Sequence, residues 1–163
     1  MASIQEMAQF SDKEKATIQK AVNEARNIIP KETQLVNVAG VMTNAQSRVI
    51  VLSKTHDWKG RFMANPTNTI GGGGDGTFVH EGATSQGQLP VVVGSKGAVV
   101  YVETGNPGKF EKMGWTEIEA KLDKSGNTSS YEDSETGATA AAEIKDFGDK
   151  AALIGATFDS IMA

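Results

Sequence analysis

Thirteen of the eighteen glycines in this chain lie between Gly40 and Gly108. They punctuate short runs of β-branched and aromatic residues, and this pattern constrains the fold more than any other feature. Glycine supplies the positive-φ positions that tight turns need, so such a stretch reads as many short strands joined by turns. Residues 35–38 (Leu-Val-Asn-Val) and 48–52 (Arg-Val-Ile-Val-Leu) read as strands around a turn at 44–47. Residues 77–80 (Thr-Phe-Val-His) form a third strand. Residues 91–93 and 98–102 form a hairpin across Gly94, Ser95, Lys96 and Gly97. Val49, Val51 and Val99 are expected in or near the core, with Tyr101 in the same sheet system.

A helix precedes this region. Ser11 stands three residues before Glu14, the capping-box spacing. Ile18, Ala21, Val22, Ala25, Ile28 and Ile29 follow at helical intervals, and Pro30 stops the run. The helix is expected over about residues 11–29, covering one side of a sheet. Past Gly108 the pattern blurs. Residues 115–122 alternate in polarity as a half-buried strand does, 138–144 fit strand or helix, and 150–161 come near helical spacing. The expected fold is α+β: an N-terminal helix packed on an antiparallel β-sandwich whose core spans about 35–122. It forms a single domain over 1–163, with the role of the C-terminal segment open.

Cysteine is absent, which excludes disulfides and thiolate metal sites. The net charge is −4, and residues 105–163 hold eleven acidic against six basic side chains. Nucleic-acid binding calls for a basic face, and the sequence shows none. There is no basic-then-apolar leader and no run approaching the ~18 apolar residues of a membrane span, so the cytoplasm is the expected location.

The run Gly71–Gly74, Asp75, Gly76 invites a phosphate-loop reading, but no Gly-Lys-Ser/Thr opens a helix after it. Its expected task is to turn the chain. The richest segment is Thr55, His56, Asp57, Trp58, Lys59, Gly60 and Arg61. His80, followed by Glu81, is the second of two histidines. Neither spacing matches a metal-ligand pattern, and there is no Gly-x-Ser-x-Gly elbow. No catalytic residue, metal or cofactor is therefore expected. A ligand site fits better: an aromatic face with a few placed polar groups. His56, Asp57, Trp58, Lys59 and His80 are the candidate residues, with Trp58 as the apolar platform and Asp57 as hydrogen-bond acceptor. The same residues also fit a plain strand end, with Trp58 half buried.

Three segments occur in a telling order: residues 56–60 (His-Asp-Trp-Lys-Gly), 76–80 (Gly-Thr-Phe-Val-His) and 94–101 (Gly-Ser-Lys-Gly-Ala-Val-Val-Tyr). Together they resemble the plant jasmonate-induced proteins of the 23-kilodalton type, over about residues 10–104. The resemblance implies a plant protein raised by wounding, salt or jasmonate signalling, and it carries no catalytic residues across. The expected function is stress or defence through binding, lectin-like toward carbohydrate. The alternative is a membrane-active or insecticidal, cytolysin-like sandwich protein. A glycan or a membrane surface is the expected partner, and a homo-oligomer is compatible with the sequence.

Overall fold

The computed structural model describes residues 10–31, 35–83, 94–103, 112–133 and 136–160. Helix α1 (Asp12–Ile28) begins at the expected box: the Glu14 backbone N–H donates to Ser11 Oγ at 3.0 Å, and the Ser11 N–H donates to Glu14 Oε1 at 2.9 Å. Both donors would otherwise lack partners in the first turn. Ile29 is already extended, as a residue before proline should be. The stripe Ile18, Ala21, Val22 and Ala25 is buried.

The strands are β1 (Asn37–Asn44), β2 (Ile50–Lys59), β3 (Arg61–Ala64), β4 (Thr69–Ile70), β5 (Asp75–Glu81), β6 (Lys96–Glu103), β7 (Thr128–Glu132), β8 (Ala138–Asp146) and β9 (Ala151–Ser160). A second helix, α2 (Trp115–Lys124), lies between β6 and β7. Six strands form one sheet in the order β3-β5-β1-β9-β8-β7, and three form another in the order β4-β2-β6. One hydrophobic cluster joins α1 to one face of the six-stranded sheet through Ala39, Val41, Val79, Ala141 and Leu153. A second cluster lies between the sheets, with Met42, Phe78, Ile154 and Phe158 from one and Ile50, Ile70, Val99 and Tyr101 from the other. A third seats α2 on the outer face of the small sheet, where Ile118 and Trp115 meet Val100 and Trp58.

Several expectations need correction. The six-stranded sheet is mixed rather than purely antiparallel, because β1 runs parallel to β9. Residues 115–124 form a helix, not a strand: Trp115, Ile118 and Leu122 stand at i, i+3 and i+7, and Glu117, Glu119, Ala120 and Lys121 between them are good helix formers. The near-helical pattern at 150–161 is strand β9, so the core extends well beyond residue 122. β9 is central and covered on both faces, by α1 and by the small sheet. A strand buried on both faces loses the polar alternation that would reveal it. Val49 precedes β2 and is 38% exposed, so it is not core. Residues 91–93 lie outside the described residues.

Candidate functional site

The chain passes from the small sheet to the large one through a single residue. Gly60 separates β2 from β3 with φ of +88°, and a Cβ there would stand 2.0 Å from the Glu81 carbonyl oxygen. Only glycine accepts both the left-handed conformation and that approach. This corner brings the end of β2, with Asp57 and Trp58, against the end of β5, with His80.

His80 is 3% exposed and points into the space between the sheets. Its Nε2 stands 2.8 Å from Asp57 Oδ1, and its Nδ1 is hydrogen-bonded to Ser95 Oγ. A carboxylate only accepts, so in the neutral ring Nε2 carries the proton and Nδ1 accepts from the Ser95 hydroxyl. Phe62 meets the ring edge-on, with centroids 4.7 Å apart. On the other side lies Gly97, whose substitution would place a Cβ 2.8 Å from Nε2. The imidazole therefore has a fitted seat made by three segments of chain.

Beside it is an open cavity of about 440 Å³. Val38, Met42, Phe78, Ile154, Ala156 and Phe158 supply the wall from the large sheet, with Ala142 and Ile144 further along. Val99 and Trp58 contribute from the small sheet, and Leu122 and Asp123 from the end of α2. His80 and Ser95 are polar groups within this apolar lining. At one edge, Lys96 Nζ pairs with Glu119 at 2.7 Å and Asp123 at 3.1 Å. The hydrogen bonds to Glu119 and Asp123 raise the Lys96 pKa above its ordinary value. Tyr101 belongs to the cluster between the sheets: its hydroxyl donates to the Thr67 carbonyl at 2.6 Å, and burial pushes its pKa up to about 12.

The five candidates from the sequence separate. Asp57 and His80 are bonded to each other, and Trp58 lines the same cavity as His80. His56 lies on the α2 side of the small sheet, stacked on Trp115 with centroids 5.0 Å apart and edge-on to Trp58 at 4.9 Å. Lys59 is exposed and does not line the cavity. Sequence reasoning missed Ser95, Lys96 and Trp115. Ser95 and Lys96 were concealed in an ordinary Gly-Ser-Lys-Gly turn signal, and Trp115 in a segment assigned to the wrong element.

The glycine run bonds to Asn44 at the end of β1. The side-chain amide of Asn44 donates to the carbonyls of Ile70 at 3.0 Å and Gly71 at 3.3 Å, and the Gly73 N–H donates to the Asn44 carbonyl. The loop is tied to β1 through its own backbone. Among the described residues, no group of three His, Asp or Glu side chains is placed to hold a metal ion. No helix among them is long and apolar enough to cross a membrane.

Comparison with known proteins places the chain in a family and matches its fold. A jasmonate-induced protein homolog of Atriplex canescens is 26% identical, covering 97% of this chain and 98% of that protein. The likeness to jasmonate-induced proteins thus runs along nearly the whole chain, well past residue 104. The crystal structure of the lipid binding protein Nakanori superposes with a TM-score of 0.58 at 15% identity, over 88% of this chain and 79% of that one. At that identity the likeness is one of fold. The profile of the Nakanori-like proteins matches residues 4–152, and this chain belongs to the Nakanori-like protein family.

Proposed function

We propose that this chain is a plant stress or defence protein that acts by binding lipid, taking the apolar part of one lipid molecule into the cavity between its sheets. The cavity itself carries this reading. Its volume of about 440 Å³ falls within the ~300–1,000 Å³ usual for ligand sites, and its wall is built mainly of apolar side chains. Each methylene moved from water into such a lining contributes about 0.8 kcal/mol. The polar groups Ser95, His80 and Lys96 stand where a headgroup or ester would lie. The shared fold with the lipid binding protein Nakanori, and the jasmonate-induced protein homolog of Atriplex canescens, support the same reading.

Lipid is favoured over the glycan expected from the sequence because of how Trp58 is held. A sugar stacks on an open aromatic face. Here His56 and Trp115 meet the Trp58 ring, and Lys96 Nζ lies 5.7 Å from its centroid. The test compares the two ligand classes directly. The purified protein is titrated with a fluorescent acyl probe and with phospholipid vesicles, and is applied to a glycan array. Saturable binding of the acyl probe at one site per chain is expected. Glycan binding without any acyl-probe binding would replace lipid by carbohydrate.

A further inference from the structure

We propose that Ser95, His80 and Asp57 form a nucleophilic triad that hydrolyses carboxylic esters carrying an apolar acyl chain. The substrate class rests on the lipid-binding reading, since the acyl chain would occupy the same cavity. The triad itself rests on separate geometry. Three residues, from β2, β5 and the position just before β6, converge in the order carboxylate, imidazole, hydroxyl. Asp57 fixes the proton on Nε2 and leaves the Nδ1 lone pair facing the Ser95 hydroxyl. That is the logic of an activated serine, with the two ring nitrogens exchanged relative to the familiar arrangement. The ring is buried and wedged between Phe62 and Gly97, so its orientation is fixed rather than sampled. Ser95 also lines the apolar cavity, which places the nucleophile beside the space an acyl chain would fill. No sequence motif marks this serine, because Ser95 precedes a strand instead of standing on a strand-to-helix elbow.

The chemistry balances with water as the second reactant. Ser95 Oγ attacks the ester carbonyl while its proton passes to His80 Nδ1. The C–O bond to the alcohol breaks, and the alkoxide leaves with the proton from Nδ1. Water then adds to the acyl-serine, giving its proton to Nδ1. Collapse releases the carboxylic acid and returns the proton to Oγ. Asp57 takes no proton; it orients the ring and stabilises the imidazolium.

The experiment uses the full chain. It is incubated with an alkyl fluorophosphonate and mapped by peptide mass spectrometry, and it is assayed with p-nitrophenyl octanoate. A phosphonyl adduct on Ser95 and turnover of the ester are expected, with both lost in Ser95→Ala. Asp57→Asn is expected to slow adduct formation about 100-fold or more, within the range for general-base catalysis, and to change its pH profile. Absence of an adduct on Ser95, or turnover that persists in Ser95→Ala, overturns the proposal. Adduct mapping uses the unaltered chain, so it decides the matter even where a variant does not fold. Binding of an ether-linked lipid analogue, measured in parallel, reports on the lipid-binding reading alone. Binding without an adduct removes the triad and leaves that reading intact.

Discussion

On one face of the six-stranded sheet, α1 lies against Ala39, Val41, Val79, Ala141 and Leu153, and the contact is closed. Its closeness is set by small residues: a Cβ at Gly155 would stand 2.5 Å from the Ile18 carbonyl oxygen and 2.8 Å from Val22 Cγ2. The opposite face carries larger side chains, several only half buried, around a cavity of about 440 Å³. The two faces share the same strands. β9 alone sends Leu153, Gly155 and Thr157 toward α1 and Ile154, Ala156 and Phe158 toward the cavity. Close packing provides stability, whereas an unfilled apolar space forgoes contact energy that a ligand can restore. The helix face holds the fold, and the cavity face is the one proposed to bind lipid.

Neighbouring residues on β9 give the largest contrast. Leu153 is 1% exposed, and Leu153→Ala should cost about 4 kcal/mol in urea unfolding, as truncation of a closely packed leucine does. Ile154→Ala, one residue on but facing the cavity, should cost about 1 kcal/mol. Equal losses would erase the distinction between the faces. Next in size is Gly155→Ala, which should cost about 3 kcal/mol because the new methyl meets helix backbone that cannot yield. A near-neutral result would mean that α1 shifts freely on the sheet.

Smaller effects sharpen the picture. Ser11→Ala removes one half of the capping box and should cost about 1 kcal/mol without affecting acyl-probe binding. Smaller still is an alkaline effect at Tyr101. Its folded pKa of about 12 lies above the unfolded value near 10, so the folded state holds this proton more tightly. The resulting stability is fully present below pH 10 and is lost as pH rises toward 12. Tyr101→Phe should flatten that part of the stability–pH curve. An unchanged slope would show that Tyr101 is not the group responsible.

The legible parts of the fold were those with one face in water. Helix α1 could be read to within a residue because its cap, its stripe and Pro30 agree. β9 could not, because both its faces are covered and its apolar residues therefore lack a period. α2 was misread because Ile118, Ala120 and Leu122 alternate over a short span, while the helical triplet Trp115, Ile118 and Leu122 needs the whole segment to be seen. In the site, Asp57, Trp58 and His80 were legible as chemically unusual residues near strand ends. Ser95 was not, since a serine in a glycine turn signals only a turn until His80 arrives from another strand. His56 and Lys59 were included by proximity in sequence. His56 stacks on Trp115 of α2 and does not line the cavity, and Lys59 lies beyond a register shift at the exposed end of β2.

A blocking substitution tests the division between the faces most directly. Ala156 lines the cavity from the central strand, and Ala156→Phe places a ring in that space. Wild-type and variant proteins are compared by thermal melting and by titration with a fluorescent acyl probe. A melting temperature held or raised in the variant, with acyl-probe binding reduced at least tenfold, is the expected result. Undiminished binding in a folded Ala156→Phe protein would place the lipid elsewhere and contradict the assignment of function to this face.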